Sequence, residues 1–337
     1  MKKVLKISGI VLIAIVILAM LVVLGFKAYD RIRYDSFYDV AEKEFYIPGL
    51  AEGFVPQGFE YMEQEKVFLA CGYMTNEKCS RVYVIDKDGD EYYYTELKDI
   101  NADNYTGHTG GIAYYRDCLY ITGSDGIDVF DLNEVMDPSI KHAYLKGTIN
   151  TYGVDPAFCY IYDGELITGS FHRDGDYDTP QKHHYKTSSG EINKGVMLAF
   201  NLTDVATAKY YVDPTPVAAY SIPSFVQGVC VTDGGKLVLS TSWGLSTSNL
   251  YIHDLEKVKS RTNSDFSKTA FDLDIPLYSV DSETLVDTIE APPMAEEIVY
   301  LDGKIWIFNE SACNKYIFGK LTTGNYLFSY EYPAKKK

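Results

Sequence analysis

Polar side chains able to carry protons or donate hydrogen bonds recur in this 337-residue chain at two points of a repeated pattern. The first point, just ahead of an apolar strand, holds Gln57, His108, Asp155, Gln227 and Glu296. The second, just after the strand that follows, holds Tyr73, Ser124, Asp125, His172, Trp243, Asn309 and Glu310. Carboxylates, amides and imidazoles gathered on one face can bind a hydrogen-bonding ligand or an ion. A carboxylate pair such as Asp155 and Glu296 can also divide the work of acid and base, as in glycoside hydrolysis. The same groups, tied instead to backbone and buried water, would merely fill a channel. Trp243 lies in the polar run Ser240-Thr241-Ser242-Trp243-Gly244. Exposed, it is a stacking platform for a sugar or an aromatic peptide side chain; buried, it is a packing group. Trp306, within an apolar alternation, reads as core.

A repeated pair of strands is what would bring these residues together. Pro56-Gln57-Gly58-Phe59-Glu60-Tyr61 precedes Lys66-Val67-Phe68-Leu69-Ala70-Cys71-Gly72, and Thr109-Gly110-Gly111-Ile112-Ala113-Tyr114 precedes Cys118-Leu119-Tyr120-Ile121-Thr122-Gly123. Residues 156–161 turn at Asp163-Gly164 into 165–169, residues 226–231 turn at Asp233-Gly234-Gly235 into 237–240, and residues 295–300 turn at Asp302-Gly303 into 305–308. A third strand follows each pair, as in Val82-Tyr83-Val84-Ile85-Asp86 and Leu250-Tyr251-Ile252-His253-Asp254; the closing Asp suits a turn bonded to its own backbone. Antiparallel units repeating every few tens of residues, with Asp-Gly turns, predict an all-β five-bladed β-propeller. Six blades result if the segment between Lys257 and Leu285 conceals another unit. Residues near Glu44 to Ile47, or alternatively Tyr326 to Tyr332, would supply the strand that closes the ring. Two insertions, 172–194 and 256–282, interrupt the pattern, and long excursions from a rigid scaffold are where binding groups collect.

Ahead of the repeats, residues 7–26 are almost wholly apolar. At 1.5 Å per residue, about 20 residues cover a ~30 Å hydrocarbon core. Lys2, Lys3 and Lys6 before the run favour a cytoplasmic N-terminus, and Val23-Leu24-Gly25 is a poor signal-cleavage site. The expected organisation is a cytoplasmic stub (1–6), a single-pass transmembrane helix (7–26), a stalk (27–43), an extracytoplasmic propeller (44–333) and a basic tail (334–337). With 31 Lys and Arg against 47 Asp and Glu, the formal net charge is −16, which argues against nucleic acid as a partner. The six cysteines lack zinc spacing; Cys71 and Cys79, facing across a predicted hairpin, are the one disulfide candidate. Asp174-Gly175-Asp176-Tyr177-Asp178 alternates carboxylates like a calcium loop but lacks the glycine and distal glutamate of an EF-hand, and with His183-His184 nearby it reads as a solvated loop. Calcium is the one cofactor the sequence suggests testing. Gly-x-Ser-x-Gly, His-Glu-x-x-His and P-loop motifs do not occur.

The run Phe54-Val55-Pro56-Gln57-Gly58, with Ala295-Glu296-Glu297-Ile298 and Asp302-Gly303-Lys304-Ile305-Trp306 in the last repeat, resembles the plant-type glutaminyl cyclotransferases. The resemblance implies a five-bladed propeller that cyclises N-terminal glutamine. That family's catalytic glutamate falls on Gly110 here, with His108 as the neighbouring titratable group. More broadly the chain is similar to extracytoplasmic propellers of the lactonase and quinoprotein-like kind. The leading expectation is a membrane-anchored propeller that binds a small ligand, glycan or peptide at the channel mouth through Gln57, His108, Asp155, His172, Gln227, Trp243, Glu296, Asn309 and Glu310. The alternative is a propeller enzyme, either cyclotransferase-like or a glycoside hydrolase.

Overall fold

A computed structural model describes residues 2–206, 208–316 and 318–333; the basic tail at 334–337 lies outside the described residues. Five sheets, antiparallel except for one short parallel outer strand on each of two of them, form the blades of a propeller. Their inner strands are Phe54–Met62, Ile112–Tyr115, Pro156–Tyr162, Val226–Val231 and Ala295–Leu301. Each touches the next, and the fifth touches the first, so the ring is closed. Asp163-Gly164 and Asp302-Gly303 place both turn residues at positive φ, 52° and 77° in one and 53° and 77° in the other. That geometry matches the right-handed strand twist, which is why Asp-Gly recurs between first and second strands.

Blades pack face to face, so their strands are buried on both sides and read as nearly continuous apolar runs. The core is accordingly divided into one layer per blade interface. Between blades 5 and 1, Phe59 stacks on Phe68 and Phe308 with centroids 4.8 and 4.7 Å apart, and Trp306 lies 5.0 Å from Phe68. The Trp306 indole N–H donates to the Leu301 carbonyl at 3.3 Å, which satisfies its one polar atom. Third-strand aspartates do the local work read from the sequence. Asp86 accepts from the Glu91 N–H, while Asp131 and Asp254 cap the short helices Leu132–Met136 and Leu255–Lys259.

The segment 257–285 contains no sixth blade. It forms helix Ser264–Phe271 and a short strand, Leu277–Ser279, that lies parallel along the outer edge of blade 3. Both candidates for ring closure are used. Tyr326–Glu331 is the third strand of blade 5, and Ala41–Tyr46 pairs with it as the fourth, with Ala41 opposite Tyr330 and Lys43 opposite Phe328.

Helix Lys2–Arg33 carries the apolar run; its most apolar stretch within Ser8–Arg33 is not buried in the protein, and the helix is long and apolar enough to cross a membrane. The segment expected to be a stalk is docked instead. Tyr34 and Phe37 are buried, and the Phe37 ring stacks on Tyr330 at 5.6 Å and meets Phe328 edge-on at 5.7 Å. Arg33 pairs with Glu290 at 2.7 Å. Residues 41–43 already belong to the ring. All six cysteines are free and buried. Cys71 and Cys79 are not joined: the Cys71 thiol donates to the Thr109 carbonyl and the Cys79 thiol to Asn104, because Cys79 lies beyond the strand pairing that places Val82 opposite Cys71.

Candidate functional site

Each inner strand begins at the mouth of the channel with a backbone that approaches its neighbours closely. A Cβ on Gly58 would stand 2.8 Å from the Gly111 carbonyl carbon, and one on Gly228 would stand 2.6 Å from Cα of Glu297, so only glycine fits at either position. Irregular pairing occurs at the same level, between Pro56 and Phe59, Pro156 and Phe158, Val226 and Gly228, and Ala295 and Ile298. Such bulges release backbone donors from the ladder and re-aim side chains. The N–H groups of Phe59 and Ile112 donate to one carboxylate oxygen of Glu297 at 2.9 and 3.0 Å, and the Cys159 N–H donates to the same carboxylate. Glu297, 2% exposed, thereby ties blades 1, 2 and 3 to blade 5. Burial pushes its carboxyl well above the usual range, against the pull of those donors.

Glu296, one residue earlier, sits in a pair. It is buried and hydrogen-bonded to Glu310, the residue that follows the second strand of the same blade. Burial first, then repulsion from Glu310 and Glu297, pushes Glu296 well above the carboxylate range. Burial also raises Glu310, to about 7, with Lys315, the Tyr316 hydroxyl and the Gln57 amide holding it from going higher. Glu296 is therefore the protonated partner and donates to Glu310. Two amides flank the pair: Gln57 Nε2 donates to Glu310 at 3.0 Å and Gln227 Nε2 to Glu296 at 3.4 Å. Lys315 Nζ donates to the Tyr73 hydroxyl at 2.6 Å, and the Tyr73 ring lies 4.9 Å from the His108 imidazole. His108 opens to solvent at the rim, yet the walls of the recess desolvate it and Lys315 repels its charge, which lowers its pKa to about 4.

Beside this recess, aromatic rings from blades 3 and 4 form a shelf. Trp243 lies 6.0 Å from Phe171 and 6.1 Å from Tyr177, with the Arg173 guanidinium 4.1 Å from its ring centroid. Phe225 meets Phe171 edge-on at 5.9 Å. Large apolar side chains normally bury; here Trp243 and Phe225 are each 37% exposed and Tyr177 54% exposed, so the shelf faces water. Tyr177 is near enough to Tyr73, which borders the recess, to raise the energy of its phenolate.

Other expected site residues stand apart. Asp155 is exposed on the rim, yet the walls around it partly desolvate its carboxyl, and this, followed by Asp125 of blade 2, raises it, so its acidic partner is not Glu296. His172 is buried and committed: Nδ1 accepts from the Thr179 N–H at 3.2 Å, which leaves the Nε2 proton for Asp174 at 3.1 Å. Asn309 donates to the Tyr326 carbonyl at 2.9 Å and accepts from Ser311, securing the third strand of blade 5. Both are positioning groups, captured by local backbone before any ligand could reach them. His172, Asp174 and Asp178 do bring ligand atoms within 4.8 Å of one another, but Lys194 Nζ already sits 2.5 and 2.8 Å from the Asp174 oxygens.

Sequence reasoning missed Glu297, Lys315 and Tyr316. Lys315 and Tyr316 lie in a loop outside the repeat, and nothing in their spacing marks them. Glu297 carried a signal: at the position where blades 1, 2 and 4 have Gly58, Gly111 and Gly228, blade 5 has a carboxylate.

No family model matches the chain, and no curated protein matches it in sequence. Among solved structures it is similar to the PQQ-bound form of an aldose sugar dehydrogenase from Streptomyces coelicolor, at 15% identity and a TM-score of 0.42 over 80% of this chain and 77% of that one. It is similar also to hydrazine synthase of Kuenenia stuttgartiensis (12%, TM-score 0.43, 83% and 84%). A third is an exo-β-1,3-galactanase from Phanerochaete chrysosporium (9%, TM-score 0.46, 86% and 63%). All are too distant to carry a residue or a reaction across. The resemblance to glutaminyl cyclotransferases finds no support.

Proposed function

We propose that this chain is a membrane-anchored, extracytoplasmic propeller that binds a glycan or an aromatic-bearing peptide at the mouth of its channel. The observation that carries the reading is the Glu296–Glu310 pair, held between two glutamine amides and beside an exposed aromatic shelf. A carboxylic acid bonded to a carboxylate offers a donor and an acceptor within one small area, and glutamine amides add both kinds. Trp243, Tyr177 and Phe225 add an apolar face, the other half of what a pyranose ring or a tyrosine side chain presents. The apolar helix and the lysines preceding it support the anchored, outward-facing arrangement.

Thermal unfolding of the protein against panels of oligosaccharides and peptides tests this, since any ligand of the native state raises its apparent stability. A hit should lose about tenfold in affinity in Trp243→Ala, as expected for about 1.4 kcal/mol of stacking contact. It should weaken as well in Glu310→Gln. A hit indifferent to both substitutions binds elsewhere and sinks the proposal.

A second reading, proton-transfer catalysis, is favoured by one value: the Glu310 carboxyl titrates at about 7, where an acid–base group is most effective. Any turnover would then follow a pH profile with a limb near 7 that Glu310→Gln removes. Glycoside hydrolysis by the usual routes is less well supported, because its two carboxyls stand about 5 to 9.5 Å apart with the reacting sugar between them, whereas these are bonded to each other.

A further inference from the structure

Where the N-terminal helix meets the ring, a cleft of about 290 Å³ opens between the helix and blade 5. Lys27 and Arg31 enter it from the helix and Lys43 from the closing strand, with Tyr38, Thr323 and Phe328 in its walls. Lys27 and Lys43 are exposed, and neither forms an ion pair among the described residues. Arg31 is already paired with Asp39 at 2.8 Å, and Asp30, the one carboxylate in the lining, accepts from the Tyr38 hydroxyl at 2.7 Å. Lys43 Nζ lies 5.5 Å from the Tyr326 ring centroid and feels the Asp30 carboxyl, so the two ammonium groups, neither in an ion pair among the described residues, face a space that holds about ten water volumes.

The height of the cleft matters as much as its charge. Lys27 directly follows the apolar run, and Arg31 stands about 6 Å further along the helix at 1.5 Å per residue. With residues 7–26 filling the hydrocarbon core, Lys27 and Arg31 fall in the headgroup layer, where anionic lipid phosphates lie. The ring seats one wall of the cleft there because Tyr34 and Phe37 bury the chain against blades 4 and 5 immediately after the helix.

We propose that this cleft binds the phosphate of an anionic phospholipid headgroup through Lys27 and Lys43, and so fixes the tilt of the propeller on the bilayer. The inference rests on the membrane reading above. The full chain, purified from membranes in detergent and mixed with phosphatidylglycerol and phosphatidylcholine, should retain phosphatidylglycerol selectively in native mass spectrometry. Lys27→Gln and Lys43→Gln should each lower its retention about fivefold, the value of one surface cation. Both residues are exposed, so each variant should unfold at the wild-type temperature, which separates lost binding from lost structure. Equal retention of the two lipids, or of phosphatidylglycerol by wild type and variants, overturns the proposal. Displacement by inorganic phosphate at equal concentration would make the cleft a site for free anions and overturn the lipid assignment. The same spectra give the intact mass. A chain cut behind residue 26 defeats the anchor and the lipid site together, whereas an intact chain indifferent to the lysines defeats only the lipid site.

Discussion

Glu297 illustrates how one side chain can serve several strands. Its carboxylate is the acceptor for backbone donors of three blades, so Glu297→Ala leaves three buried N–H groups without partners. At 1 to 3 kcal/mol for each such group, the substitution should cost about 3 to 5 kcal/mol in urea unfolding after partial relaxation. Glu297→Gln, which keeps an oxygen in place, should cost clearly less. Equal stability of all three proteins would show that the donors have other acceptors. Glu310 gives a different expectation. Its folded-state pKa, and that of Glu60 further along the same channel, is raised from 4.5 to about 7 by burial. A raised carboxyl stabilises the fold below its unfolded value and loses that contribution as pH climbs through the folded one. Unfolding free energy should therefore fall between about pH 5 and pH 8, and Glu310→Gln should flatten that slope; an unchanged slope would remove Glu310 from the account.

At the scale of the element, the N-terminal strand is the part whose loss should be felt most. A chain beginning at Tyr34 keeps the Phe37 contacts and the strand Ala41–Tyr46, and should be monomeric and stable. A chain beginning at Ile47 uncovers the edge of Tyr326–Glu331, and exposed edges recruit other strands. It should elute as aggregates in size-exclusion chromatography; monodisperse behaviour of both would mean that closure adds little. The sequence made the inner and second strands legible, because turn chemistry and apolar runs recur there. It left the closing strand undecided, since Glu44-Phe45-Tyr46 and Tyr326-Leu327-Phe328 are equally good strands and their pairing spans the whole chain. Residues 27–43 read as a stalk for a related reason. Their charges suggest solvent, and only the ring reveals that Tyr34 and Phe37 have a surface to cover.

For the molecule as a whole, repeat position proved a good guide to which residues converge and a poor one to what they do there. Gln57, Gln227, Glu296 and Glu310 meet as the repeat implies, because equivalent loops of a closed ring must share a face. His172 and Asn309 occupy equivalent positions yet are claimed by neighbouring backbone, a local event that repeat position does not encode. The seam of blade 5 has one more consequence, and it concerns time. Synthesis runs from the N-terminus, so Ala41–Tyr46 emerges first of all the strands and its partner Tyr326–Glu331 last. The earliest strand must wait, unpaired, while nearly three hundred residues follow it. The ring cannot shut until Tyr326–Glu331 has been made, so its closure depends on a pairing of very long sequence separation, the kind that forms slowly.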